Sequence, residues 1–157
     1  MKKWLGMFLM MTTMMALDGY AQANLLGNGN FENGKSEWKG KYEVVLEGNN
    51  KIGVIELDER KLVDISQKFK VKDMKNVKLT FRYKTSPGFQ SRGMTVVFER
   101  EDGGSTYQTM DVNANTEWQQ YSWDFREIRE TRKFTVIISL KEGVGQFFLD
   151  DVVLIEN

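Results

Sequence analysis

The chain contains no histidine and no cysteine. That removes imidazole and thiolate from its chemistry. Ser-His-Asp and Cys-His catalysis are excluded, zinc and copper lose their usual ligands, and no disulfide can hold the fold. Carboxylates remain, and a pair of them can cleave a glycosidic bond. Among 22 Asp and Glu residues some pair is close by chance, and nothing in spacing or context singles one out, so an enzyme is not expected. Binding is better supplied. Tyr107 follows a Gly-Gly turn and runs out of phase with Met110 and Val112, which predicts a solvent-facing ring. Phe89, in the loop after Pro87, is a second exposed candidate. Arg82, Lys84, Gln90, Arg92, Glu99 and Gln108 are candidates for hydrogen bonding on an outward sheet face. Exposed rings among such groups suit a ligand with flat apolar faces and many polar edges. Residue by residue, the competing reading is an ordinary solvated strand position.

The elements that carry these residues read as β almost throughout. Residues 77–84 (VKLTFRYK) put Val77, Leu79, Phe81 and Tyr83 on one face and Lys78, Thr80, Arg82 and Lys84 on the other. The segments 42–47, 52–57, 63–71, 94–100, 106–112, 118–125, 134–140 and 147–155 carry strand patterns too, and period-2 alternation of this kind indicates strands with one buried face. Glu101-Asp102-Gly103-Gly104-Ser105 predicts a hairpin turn between two of them. A turn around 142–145 joins the last two segments. Trp38, Phe81, Tyr121, Trp123 and Phe125 fall in the core-facing register. A short helical turn at 125–132 is the one helical candidate, and the polar loop 87–93 is expected to border a binding site. Eight or nine short strands predict an all-β, antiparallel two-sheet β-sandwich.

Residues 1–23 read as a signal peptide. Lys2 and Lys3 precede the apolar run 4–17, and Ala21-Gln22-Ala23 offers small residues for cleavage after Ala23, with cleavage after Ala21 also open. Residues 24–157 then form a single domain, expected to be secreted, periplasmic or at the cell surface, with no membrane insertion after cleavage. The 22 Lys and Arg balance the 22 acids, so no electrostatic case arises for nucleic acid as a partner. A monomer is expected.

Two motifs at the ends of the domain add a resemblance. Asn24-Leu25-Leu26-Gly27-Asn28-Gly29-Asn30-Phe31-Glu32-Asn33-Gly34 followed by Trp38, together with Phe148-Leu149-Asp150-Asp151-Val152-Val153-Leu154, resembles the opening and closing runs of CenC-type carbohydrate-binding modules. Between them Ile65-Ser66-Gln67, Leu79-Thr80-Phe81 and the run 116–121 (TEWQQY) keep the order of that family. The resemblance implies a jelly-roll, galactose-binding-like sandwich that binds plant or microbial polysaccharide or oligosaccharide without catalysis. Here it is expected to act alone, whereas such modules are usually joined to glycoside hydrolases. It implies a structural Ca²⁺ held by Glu32 and Asp150, with backbone carbonyls from Asn30 and from a residue near Asn49 or Lys51. The plainer alternative is that the two acids hydrogen-bond loop amides. Of the outward candidates, Tyr107, Arg82, Lys84, Phe89 and Gln108 are the residues expected to bind such a ligand. The rival function is a structural or adhesive sandwich that binds a protein or cell-envelope partner.

Overall fold

Alternation decides which side of each strand meets the core, and the burial pattern follows it closely. The computed structural model describes residues 23–71, 76–126 and 132–156. The described strands are β1 (Lys39–Gly40), β2 (Glu43–Glu47), β3 (Asn50–Glu56), β4 (Val63–Lys70), β5 (Asn76–Thr85), β6 (Gln90–Ser91), β7 (Met94–Arg100), β8 (Ser105–Met110), β9 (Gln119–Arg126), β10 (Lys133–Leu140), β11 (Gly143–Val144) and β12 (Gln146–Glu156). A front sheet has the order β1-β4-β10-β7-β8 and a back sheet the order β2-β3-β12-β5-β9, with a small β11-β6 ribbon beside them. Every named pairing is antiparallel. The two-sheet sandwich expected from the sequence is the observed architecture. The expected hairpin joins β7 to β8 across Glu101–Gly104. Among the described residues no helix is long and apolar enough to cross a membrane.

The core is one cluster shared by both sheets. The front sheet contributes Ile65, Phe69, Val96, Phe98, Phe134, Val136 and Ile138. The back sheet contributes Leu79, Phe81, Tyr121, Phe125, Phe147, Leu149 and Leu154. Phe98 bridges the layers, with its ring centroid 5.0 Å from Trp123 and 4.7 Å from Phe125. Each such side chain removed from water stabilises the fold by roughly 1.5–3 kcal/mol. Trp38, Phe81, Tyr121 and Phe125 are buried, and Trp123 packs half-buried against the cluster, as the alternation predicts.

The opening segment closes one end of the sandwich. Phe31 is fully buried between Trp38 and Tyr42 at 6.0 Å from each. It lies over Gly53, where a Cβ would stand 2.9 Å from the ring, so β3 needs glycine there. Its backbone holds a φ of 55°, a strained value for an aromatic residue that burial compensates. Gln67 is buried in the core, and its amide grips both backbone groups of Gly27: the Gly27 N–H donates to Oε1 at 2.7 Å and Nε2 donates to the Gly27 carbonyl at 2.9 Å. Asn24 does the same for the back sheet. Its Nδ2 donates to the Val152 carbonyl at 2.9 Å, and its Oδ1 accepts from Leu154 N at 2.8 Å. Gly29 passes so close to β12 that a Cβ would fall 1.9 Å from the Val152 oxygen.

Two local expectations change. Phe125 and Arg126 belong to β9 rather than to a helical turn, and 127–131 lie outside the described residues. The 87–93 loop is partly tied down by the β6-β11 ribbon, which folds Phe89 inward. The proposed leader, apart from Ala23, lies outside the described residues.

Replacing Gln67 with alanine strands both Gly27 groups in a partly buried place, which costs about 1–3 kcal/mol. Urea denaturation of Gln67→Ala is expected to show this loss with little change in the slope of the transition.

Candidate functional site

The outer face of the front sheet is built by the residues left over from the core register. One row crosses all five strands: Lys39 opposite Ser66, Ser66 opposite Ile137, Ile137 opposite Val97, and Val97 opposite Tyr107. Ser66, Ile137 and Val97 are half-buried, and Tyr107 is 67% exposed at the edge strand. A parallel row runs Asp64, Ser139, Thr95, Thr109, and the hydroxyls of Thr95 and Thr109 lie 3.0 Å apart. A third runs Lys68, Thr135, Glu99, Ser105. The face thus offers a short aliphatic strip, one exposed ring and a field of hydroxyl and charged groups. That mixture can stack and hydrogen-bond a flat, hydroxyl-rich ligand.

The sequence-derived candidates do not converge there. Tyr107 faces solvent as expected. Gln108, one residue on, points to the other side of β8, where its Oε1 accepts from Tyr121 Oη at 2.7 Å. Burial pushes the Tyr121 hydroxyl well above the usual tyrosine range, so it stays a neutral donor. Phe89 is 3% exposed and near Phe147, which removes it as a surface ring. Arg82 and Lys84 do face outward, but on the back sheet. Both lie over Trp118, at 5.1 and 5.0 Å from its ring. Lys84 is ion-paired to Glu47, and Arg82 to Asp150 and Asp151. These two cations hold a polar cluster together on the face opposite Tyr107. Gln90 and Arg92 sit at the β6-β11 ribbon, where Arg92 pairs with Glu142 at 2.7 Å.

Glu32 and Asp150 are tied to two consecutive residues of β3. The β12-β3 ladder ends at Leu149 opposite Gly53, and β12 then bulges between Asp150 and Val153, with Asp151 at a φ of 50°. Glu32 Oε1 accepts from Lys51 N at 2.9 Å, and Lys51 Nζ donates to the Glu32 carbonyl at 2.8 Å. Asn50 Nδ2 donates to Asp150 Oδ2 at 2.8 Å, as does Arg82 Nη2 at 2.9 Å. Arg82 Nε stands 2.8 Å from Asp151 Oδ2, an ionic contact whose angle is too poor for a hydrogen bond. The plainer alternative therefore holds for one Glu32 oxygen, which accepts a backbone amide. Asn30 turns its side chain to the Glu32 amide at 3.4 Å, which leaves its carbonyl as the group to offer a cation.

Asp150 is fully buried, and its Oδ1 has no partner. Burial pushes its carboxyl above the ordinary carboxylate range and the Asp151 charge adds to this, against the pull of the Asp151 backbone amide, Asn50 and Arg82. A buried, unpartnered carboxylate oxygen beside a gap in the ladder fits a hard cation. Among the described residues no three acidic side chains gather as a metal group, so Asp150 and Glu32 would need carbonyl oxygens, Asn30 included, to complete such a site.

What sequence reasoning missed is the company of each residue. Val97, Ile137, Thr95 and Thr109 are recognisable as outward positions from alternation alone, but their union with Tyr107 needs the strand order. Trp118 was read as part of a strand and not as a site residue, and its place beside Arg82 and Lys84 depends on β5 meeting β9.

No curated protein matches the sequence. Solved structures match the fold. The family 16 carbohydrate-binding module-2 superposes with a TM-score of 0.67 at 18% identity, covering 85% of this chain and 100% of that one. TmCBM61, solved in complex with β-1,4-galactotriose, gives 0.65 at 20% identity over 86% of this chain and 99% of that one. The enzymatically active domain of the bacteriophage CBA120 tailspike protein 4 gives 0.70 at 10% identity over 85% of this chain, which spans only 21% of that longer chain. At these identities the likeness is one of fold. Residues 54–144 match the family described as "Protein of unknown function (DUF642)", and since that match takes in more than half of the sequence, the chain belongs to the DUF642 family.

Proposed function

We propose that this chain is an exported, non-catalytic module that binds polysaccharide across the outer face of the front sheet, with Tyr107 as the stacking ring. The observation that carries the reading is the 67% exposure of Tyr107 at the end of the Ser66–Ile137–Val97 row. Tyr107 leaves a ring face open beside the aliphatic strip, and a sugar ring laid on it would gain stacking and cover that strip. Support comes from the fold shared with carbohydrate-binding modules, from the CenC-type opening and closing runs, and from a leader-like first segment. Arg82, Lys84, Gln108 and Phe89 are set aside, because each is engaged elsewhere.

The proposal includes a Ca²⁺ held by Asp150, Glu32 and the Asn30 carbonyl. Its role is to fix the opening segment against the bulge of β12. Extracellular modules hold calcium with Kd of about 10⁻⁴–10⁻³ M, so about 1 mM Ca²⁺ adds ~0.4–1.4 kcal/mol of stability.

Affinity electrophoresis of residues 24–157 in gels of β-glucan, xylan or mannan tests the binding. Retardation is expected in at least one gel and is expected to weaken about tenfold in Tyr107→Ala. Retardation unchanged by that substitution would move the site off this face. For the cation, the melting temperature is expected to rise with millimolar Ca²⁺ and fall back with EDTA, and the response should vanish in Asp150→Asn. An unchanged melt in wild type removes calcium from the account.

A further inference from the structure

We infer that the polysaccharide taken by this face carries carboxylates, as a uronic-acid polymer does. The inference rests on the reading of the front face as the binding face and names the chemistry of what it binds.

The face ends in a groove of about 490 Å³ between β4, β10 and β7. Lys68, Lys70, Arg100 and Lys133 line it, against the two carboxylates Glu99 and Glu101. The two acids do not neutralise the four cations evenly. Lys133 Nζ is paired with Glu101 at 2.9 Å, and Arg100 Nε with Asp102 at 3.2 Å. Lys68 and Lys70 are exposed, and among the described residues no ion pair is made by either.

Register sharpens the imbalance. Lys70 stands directly opposite Lys133, and both fall on the outward side of their strands. Like charges directly opposite one another in an antiparallel pair destabilise a sheet; Glu101 offsets the Lys133 charge, and the Lys70 ammonium is left for an anion from outside. Lys68, two residues along the same strand and on the same side, extends the positive charge toward Thr135 and the Ser66–Ile137 row. A neutral chain stacked on Tyr107 would have no use for this end of the face. A chain with a carboxylate on its sugars would meet ammonium groups at one end and a ring at the other.

The probe is polygalacturonate, compared with neutral β-glucan and galactan, by isothermal titration with wild type, Tyr107→Ala and the double variant Lys68→Gln/Lys70→Gln. Polygalacturonate is expected to bind most tightly and to weaken as salt rises. The double variant should lose about tenfold for polygalacturonate at low salt, lose the salt dependence, keep any binding of the neutral chains, and melt close to wild type because neither lysine takes part in an ion pair among the described residues. Equal binding of acidic and neutral chains, or a double variant that binds polygalacturonate as wild type does, overturns the inference and leaves the polysaccharide-binding face standing. Absence of binding to all three, with Tyr107→Ala indistinguishable from wild type, overturns both.

Discussion

Two side-chain amides hold the end of this sandwich shut. Gln67 reaches from the front sheet to both backbone groups of Gly27, and Asn24 reaches to the carbonyl and the amide of the bulged strand β12. These grips tie the opening segment to both sheets, and a few residues on Phe31 is seated in the core against Trp38 and Tyr42. A chain without cysteine must find such closure in hydrogen bonds or a metal ion. Amide grips suit the purpose because one Asn or Gln can both donate and accept, and so replace the missing strand partner at the margin of a sheet.

The closure also explains the bulge. Beyond Leu149 the β12-β3 ladder gives way to the opening segment, with Val152 N donating to the Gly29 carbonyl. Asp150 falls at the turn-out and is buried with one oxygen unmatched. Asn50, Lys51 and Arg82 gather around the two acids, and the same arginine carries the ordering on to Trp118. The back sheet's outer face is therefore spent on holding itself together. The front sheet's outer face carries no comparable cluster among the described residues, and its central rows are left with hydroxyls, short aliphatics and Tyr107.

Much of the fold was legible in alternation. β5, β7 and β10 occupy nearly the residues the pattern predicts, because a strand with one buried face writes its burial at period two. Tyr107 was legible for the same reason, being out of phase with its neighbours. Phe89 was not. A polar loop composition argues for exposure, while its burial depends on two-residue strands, β6 and β11, that pair across distant sequence. Arg82 and Lys84 were correctly read as outward, yet outward of which sheet is a question of strand order, and one-dimensional patterning is blind to it. Gln108 failed for a narrower reason: adjacent residues of a strand face opposite ways, so it could not share a face with Tyr107. The buried state of Asp150 follows from the bulge, for which the residues themselves carry no periodic signal.

The account rests on the front face being the one that meets the ligand. Backbone amide chemical shifts followed during titration with polysaccharide test this directly. The account predicts that the perturbed amides cluster at Ser66, Thr95, Val97, Tyr107, Thr109 and Ile137, while those around Trp118 and Phe148 stay still. Perturbations centred on Trp118, Lys84 and Phe148 would contradict it and place the ligand on the opposite sheet.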